Sequence, residues 1–201
     1  MDFYKITRFD EIQEFHNITP IDNIPSIIKY GLLCHDLACK IDHKDISLEE
    51  VQARRDKKVP GGLLLHNYVN LYFHARNPML FRRLNEEICI LRIDKCVADL
   101  DDVVFSDRNA ASDYTSFKSR KFVHQLEFEI IYAKDWRSPN TITYYSNKSQ
   151  KCAEVLIPYK IDITFIIGAY VKKEKDKQEL IDKGFNKEII VNEEMFFGGR
   201  S

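Results

Sequence analysis

"KCAEVLIP", residues 151–158, is a short apolar stretch that carries one acidic side chain. Its alanine, valine, leucine and isoleucine suit a strand in the interior of a sheet. Glu154 does not suit that setting, because an ionised carboxylate is expensive to bury without a partner. The stretch therefore predicts a strand whose glutamate either faces water at an edge or is held in place for chemistry.

Short strands and helices follow one another on both sides of this stretch. Apolar runs predict strands at 15–19, 67–75, 87–95, 103–105 and 163–171. Capping and breaker residues predict helices at 22–30, 47–57, 110–117 and 172–185, a helix or turn at 77–85, and a loop at 142–151. The pattern indicates one mixed α/β or α+β domain over residues 1–201, with 197–201 either its end or an appended tail.

The composition is that of an ordinary globular protein, with 44% apolar residues in 201. No apolar run is long enough to span a bilayer, and the first residues lack the layout of a signal peptide. The cysteines are scattered and odd in number, which predicts reduced thiols and no metal site. We therefore expect a cytoplasmic protein with no metal and no membrane contact.

The net charge of −1 hides a segregation of charge along the chain. Residues 51–83 carry +6 and residues 114–160 carry +4, whereas residues 1–50 and 84–113 carry −5 each. If the two basic segments fold onto one face, a polyanion can bind there. Two ordinary solvated surfaces would give the same count, so both interpretations stay open at this point.

Common nucleotide motifs are absent from the sequence. There is no Walker A loop, no dinucleotide-binding glycine fingerprint and no nucleophile elbow. With only seven glycines, a glycine-rich phosphate cradle is not expected. A nucleotide would have to be held in another way.

Four blocks of sequence nevertheless resemble one family. They are "HNITPIDNIPSIIKYGLL" (16–33), "VQARRDKKVPGGLLLHNYVNLYFHARNPMLF" (51–81), "VFSDRNAASDYTSF" (104–117) and "KCAEVLIP". In this order and spacing they resemble DarT, the DNA ADP-ribosyltransferase toxins of bacterial toxin–antitoxin pairs. The resemblance runs from about Phe15 to Val171.

The resemblance implies an α+β, ADP-ribosyltransferase-like fold with a mixed core of short strands and peripheral helices. It implies a mono-ADP-ribosyltransferase, a glycosyltransferase of the pentosyltransferase class, that consumes NAD and releases nicotinamide. The acceptor would be a base of single-stranded DNA, thymine or, in a subgroup, guanine. The implied partner is an antitoxin, a macrodomain-type ADP-ribosyl glycohydrolase. The alternatives are transfer to RNA or protein, and an inactive nucleic-acid-binding module.

By the same resemblance Glu154 is the catalytic glutamate, and the chemistry fits this role. Cleavage of the glycosidic bond builds positive charge on the ribose, which a fixed carboxylate stabilises. The carboxylate can also take a proton from the acceptor base. Arg55 matches a functional arginine that neutralises phosphates or polarises a carbonyl, with its neighbour Arg54 as the alternative.

The remaining candidates bind NAD or DNA. The family usually has histidine two residues before Thr19, where this chain has Asn17 and places His16 one residue earlier. Because adjacent side chains of a strand point to opposite faces, only one of the two can enter the pocket. The predicted NAD contacts are His16 or Asn17, Thr19, Asn23, Arg55 and the ring of Tyr72. The predicted DNA contacts are His74, Arg76, Tyr144 and Tyr145.

Overall fold

A sheet of eight strands runs through the computed structural model of the protein, which describes residues 3–44 and 53–198. The strand order is β10-β9-β4-β1-β3-β7-β5-β6, and only β9 and β10 pair in parallel. A separate two-stranded ribbon joins β2 to β8. The strands are β1 Glu14–Pro20, β2 Leu32–Leu33, β3 Tyr68–Tyr72, β4 Ile88–Asp94, β5 Val104–Ser106, β6 Phe117–Lys118, β7 Glu154–Pro158, β8 Lys160–Ile161, β9 Ile166–Val171 and β10 Glu188–Val191.

Short helices surround the sheet. The α-helices are α1 Ile24–Tyr30, α2 His35–Ala38, α3 Pro78–Arg82, α4 Phe128–Ile131, α5 Thr141–Gln150 and α6 Glu174–Asp182. Short 3-10 helices lie at Phe3–Lys5, Phe9–Glu11, Ile21–Asn23, Leu65–Asn67, Lys95–Asp99, Arg120–Gln125 and Ile163–Phe165. Among the described residues no helix is both long and apolar enough to cross a membrane.

The central strands are buried on both faces, because helices and turns cover both sides of the sheet. Phe15 of β1 packs edge-to-face on Phe73, with ring centroids 5.6 Å apart. Phe105 of β5 and Phe128 of α4 extend this aromatic layer. Such pairs add about 0.5–1.5 kcal/mol each beyond the area they bury, so this layer fixes how the two halves of the sheet meet.

The sheet is split between β1 and β3, and this split creates the site. Strand β1 pairs with β4 along its whole length, from Glu14 to Pro20, but pairs with β3 only at His16 and Tyr72. One residue further along, Asn17 Nδ2 donates to the backbone oxygen of Asn70 at 3.2 Å. A side chain therefore bridges the strands where backbone pairing has ended, and the two strands become opposite walls of a cavity.

Helix α1 ends where the sequence predicts. Gly31 has φ 78°, and its N–H donates to the backbone oxygen of Ile27 at 2.8 Å. A Cβ at this position would lie 2.4 Å from the backbone oxygen of Ile161. Glycine is therefore required here both for the left-handed turn and for the close approach of the β8 strand.

Two predicted elements are wrong. Residues 110–117 form turns followed by β6, because Asn109 makes an Asx turn, its Oδ1 accepting from the Ala111 N–H at 2.8 Å. The predicted loop at 142–151 is helix α5, capped by Asn140 Oδ1, which accepts from the Thr143 N–H. The threonine, asparagine and tyrosine residues of α5 have low helix propensity, so the helix forms because of its N-terminal cap and its packing. Most of the predicted 47–57 helix lies outside the described residues.

The end of the described chain belongs to the fold. The Phe197 ring packs on Phe81 of α3 and on Trp136, with centroids 5.1 and 5.9 Å away. Residue 197 is thus packed against the same helix that borders the cavity.

Candidate active site

Glu154 is the first residue of β7 and is only 1% exposed. Arg55 Nη1 donates to its Oε2 at 3.1 Å and to its Oε1 at 3.4 Å. The Ala110 N–H donates to Oε1 at 3.0 Å. The backbone N–H of Glu154 donates to Ser106 Oγ at 3.0 Å. The buried carboxylate therefore has charged and neutral donors, which offsets its desolvation.

Arg55 is the partner that balances the carboxylate. It is 6% exposed, and its Nη2 finds no hydrogen-bond partner among the described residues. A buried donor left without an acceptor costs about 1–3 kcal/mol, so this nitrogen is well placed for an oxygen of a bound molecule. The exposed Arg54 also borders the cavity but makes no such pair with Glu154.

A cavity of about 620 Å³ opens in front of this pair. Its volume lies in the range of about 300–1,000 Å³ common for cofactor and ligand sites. Strands β1 and β3 form two walls, and the turn at 109–113 and helix α5 form another. The cavity brings together most predicted site residues: Asn17, Thr19, Asn23, Arg55, Tyr72, Tyr145 and Glu154.

His16 is a correction, because the structure places it on the other face of β1. It is fully buried; Nδ1 accepts from the Ala75 N–H at 3.0 Å and Nε2 lies 3.1 Å from Glu14 Oε1. Although burial alone would raise it, hydrogen bonds from His16, Tyr170 and Arg92 lower the pKa of Glu14 to about 2. Of the two neighbouring candidates, Asn17 lines the cavity and His16 does not.

Tyr72 lies across the strand pair from Glu154 and borders the cavity. Burial raises the pKa of the Tyr72 phenol well above its usual range, and the neighbouring Glu154 carboxylate adds to the shift. The ring is therefore neutral at physiological pH. Its phenol lies near enough to the Glu154 carboxylate for the two to interact electrostatically.

His74 and Arg76 are two further corrections, because neither reaches the cavity. His74 is fully buried among the rings of Phe3, Tyr4 and Tyr132, and burial lowers its pKa well below the usual value. Arg76 is 3% exposed; it donates to the backbone oxygen of Lys134 at 3.3 Å and covers the ring of Phe197 at 4.1 Å. Strand β3 ends at Tyr72, so the alternation assumed for 67–75 does not continue to these residues.

The two predicted tyrosines of α5 differ in position. Tyr145 is 63% exposed and lines the cavity, whereas Tyr144 is half-buried and packs on it with centroids 5.2 Å apart. Tyr114, which was not singled out from the sequence, is 84% exposed and lines the same cavity. Its only signal was its place within the family-like block 104–117.

The turn that holds Glu154 is itself anchored by a lysine missed in the sequence. Lys57 Nζ donates to the backbone oxygen of Ser112 at 2.6 Å. It thereby joins the segment of Arg55 to the turn that supplies the Ala110 N–H.

No group of histidine, cysteine or acidic side chains able to hold a metal is found within residues 3–44 and 53–198.

Lys151, three residues before Glu154, is 1% exposed and donates to the backbone oxygen of Ile131 at 2.8 Å. Burial lowers the pKa of its ammonium group to about 7. The unfolded chain then binds more protons between pH 7 and 10.5, so stability rises with pH in that window by up to about 1.4 kcal/mol per unit. We expect Lys151→Met to flatten the rise.

Urea unfolding at pH 7.0 and 8.5 measures the effect of Lys151. The slope is the change in the free energy of unfolding per pH unit. Thiols and other groups titrate equally in the wild type and in Lys151→Met, so the difference between their slopes isolates this lysine. Lys148→Met on α5, whose side chain is half-exposed, is the matched control and should retain the wild-type slope. Equal slopes in the wild type and in Lys151→Met would show that the buried amine is charged throughout.

Solved structures with the same chain path show that the protein has an ADP-ribosyltransferase-like α+β fold. Thermosipho africanus DarTG in complex with ADP-ribose matches with a TM-score of 0.81 and 26% identity, over 92% of this chain and 51% of that one. Thermus sp. 2.9 DarT in complex with ADP-ribosylated ssDNA matches with a TM-score of 0.80 and 23% identity, over 92% and 96%. At that identity the second likeness concerns the fold alone.

The chain belongs to the DarT family. Residues 16–197 match the family model described as "ssDNA thymidine ADP-ribosyltransferase, DarT". Among individual proteins, it is 28% identical to a DNA ADP-ribosyl transferase–DNA ADP-ribosyl glycohydrolase fusion protein of Thermosipho africanus, over 94% of this chain and 50% of the relative. The chain thus spans half the length of that relative.

Proposed function

We propose that the protein transfers ADP-ribose from NAD to a base of single-stranded DNA, with thymine as the first candidate. The observation that carries this proposal is the buried Glu154 carboxylate, held by Arg55 and the Ala110 N–H at the wall of a cavity of about 620 Å³. A carboxylate fixed in this way needs no reorganisation when charge develops beside it. The family description names the same reaction.

NAD, the co-substrate, would lie between the walls formed by β1 and β3. Asn17 and Thr19 offer polar groups on one side, and Tyr72 offers its ring for stacking on the nicotinamide. The unpartnered Nη2 of Arg55 fits an oxygen of the diphosphate or of the acceptor base. These roles rest on the placement of the side chains at the cavity.

Glu154 has two tasks in the proposed reaction. The bond between C1′ of the ribose and the nicotinamide nitrogen breaks, and the bonding electrons leave with nicotinamide. The carboxylate stabilises the positive charge on the ribose. A ring nitrogen of the base then bonds to C1′, and its proton passes to the carboxylate. No metal is needed for any of these steps.

A protein with this activity damages the DNA of its own cell and therefore acts as a toxin that needs an antidote. The Thermosipho relative is a fusion with a DNA ADP-ribosyl glycohydrolase. We propose the same kind of partner for this chain, an antitoxin that removes the modification. All five cysteines are free thiols, which fits a reducing compartment, and we place the reaction in the cytoplasm, where NAD and single-stranded DNA meet.

The decisive experiment incubates the protein with NAD and short single-stranded oligonucleotides, each of which contains one kind of candidate base. Mass spectrometry should detect one added ADP-ribose on the thymine oligonucleotide and released nicotinamide. An adduct on guanine instead would assign the chain to a different base class. Nicotinamide release without any DNA adduct would favour RNA or protein as acceptor, and no release at all would favour the inactive binding module.

Tyr145 and Tyr114 are expected to hold the DNA strand at the mouth of the cavity. Stacking on an aromatic ring contributes about 1–3 kcal/mol per base, so Tyr145→Ala or Tyr114→Ala should lower kcat/KM for the oligonucleotide about tenfold or more. The KM for NAD should not change. Tyr30→Ala is the matched control, since Tyr30 is also exposed but does not border the cavity. A variant that raises the KM for NAD and leaves kcat/KM for the oligonucleotide unchanged would contradict this assignment.

A further inference from the structure

The side chain of Asn23 is hydrogen-bonded in both directions to the backbone of one residue. Its Nδ2 donates to the Lys44 backbone oxygen at 2.8 Å, and its Oδ1 accepts from the Lys44 N–H at 2.7 Å. The amide thus imitates a residue of a neighbouring strand. Its orientation is fixed by these partners, because a flipped amide would oppose donor to donor and acceptor to acceptor.

The same short stretch of chain holds the neighbouring residues as well. Ser26 Oγ donates to the backbone oxygen of Asp42 at 3.3 Å. Asp22 Oδ2 lies 3.7 Å from Lys44 Nζ, although an exposed ion pair of this kind contributes little. Residues 41–44, here called the clamped segment, are therefore bound to the start of α1 by backbone contacts at two positions.

The clamped segment forms part of the cavity wall. Ile41, His43 and Lys44 all line the cavity, as do Asn17 and Thr19 of β1. The second amide hydrogen of Asn23 points towards Thr19 Oγ1, 3.5 Å away. With its strong contacts directed at the backbone of Lys44, the amide has little capacity left for a ligand.

We propose that Asn23 is a positioning residue, which holds the clamped segment against the cavity, and not a direct ligand of NAD. This inference rests on the proposed function, because it concerns the wall that NAD would contact. A wall held in place before binding saves the cost of ordering it during binding. Glu154 and Arg55 belong to other segments, so loss of the clamp should weaken NAD binding and leave the chemical step intact.

The isosteric variant Asn23→Asp separates hydrogen bonding from packing. Its carboxylate accepts from the Lys44 N–H but opposes the Lys44 carbonyl oxygen. Asn23→Ala removes both contacts, and Ser26→Ala removes only the bond to Asp42. Lys29→Ala, on the same helix and exposed, is the control.

Steady-state kinetics and limited trypsin digestion together test the inference. We expect Asn23→Asp and Asn23→Ala to raise the KM for NAD about tenfold, with kcat changed less than about twofold. Trypsin should cleave after Lys44 faster in these variants than in the wild type, in the absence of NAD. Ser26→Ala should shift both readouts less, Lys29→Ala neither, and the melting temperature should remain close to that of the wild type.

Two results would overturn the inference. One is an Asn23→Asp protein with wild-type KM and wild-type cleavage after Lys44. The other is a variant whose KM or kcat changes while cleavage after Lys44 keeps the wild-type rate, which would make Asn23 a direct ligand of NAD or place it in the chemical step. If the wild type neither binds nor consumes NAD, the proposed function fails, and the trypsin comparison alone decides whether the clamp exists.

Discussion

Glu154→Gln is expected to lower kcat for transfer by about three orders of magnitude, within the range of about 10²–10⁴ for a general base or a preorganised charge. Glutamine has the same shape and keeps an oxygen for the Ala110 N–H and, at 3.4 Å, for Arg55 Nη1. Its amide nitrogen replaces Oε2, the closer acceptor of Nη1 at 3.1 Å, so the pairing with Arg55 weakens while the contact with the Ala110 backbone holds the side chain in place. What is lost is the negative charge beside the ribose and the acceptor for the proton.

The KM for NAD should change little in this variant, because the cavity walls are untouched. Mass spectrometry of the oligonucleotide measures transfer, and calorimetry measures NAD binding. Glu129→Gln, an exposed glutamate on α4, is the matched control and should retain full activity. A Glu154→Gln protein that transfers ADP-ribose at more than about a tenth of the wild-type rate would contradict a role for this carboxylate in the chemistry.

Arg55→Leu is expected to lower the free energy of unfolding by about 3 kcal/mol, because it leaves a buried carboxylate without its charged partner. The two side chains are only 8% and 1% exposed, so solvent screens the pair weakly. Adding Glu154→Gln to Arg55→Leu should restore most of the loss, since the unpaired charge is then gone. The double variant would be stable and inactive.

Urea unfolding of the wild type, both single variants and the double variant closes this cycle. Arg54→Leu is the control and should change stability by less than about 0.5 kcal/mol, as expected for an exposed side chain. Arg55→Lys should retain much of the stability but lose activity, because lysine supplies the charge without the second donor nitrogen. Additive effects of the two substitutions would mean that Arg55 and Glu154 do not form a pair in solution.

The sequence predicted much of the sheet and part of the site. The strands of Glu154, Asn17 and Tyr72 were expected from apolar runs, and helix α1 from its proline and Gly31. These signals are local, so they can be read from the sequence without knowledge of the fold. The helix at α5 and the turn at 109–113 were missed, because there side-chain caps and packing outweigh propensity.

The sequence by itself identified Glu154 and Arg55 as candidate catalytic residues, since the blocks around them resemble the family, whose model matches residues 16–197. Only the tertiary structure decided which of these residues meet. Arg55 and Glu154 are 99 positions apart in sequence and 3.1 Å apart in space. Asn17 faces the cavity and His16 the core, while His74 and Arg76 are buried away from the cavity. The physical reason is that successive side chains of a strand point to opposite faces of the sheet, and this alternation can be read from the sequence. Which of the two faces borders the cavity is decided by packing across the sheet.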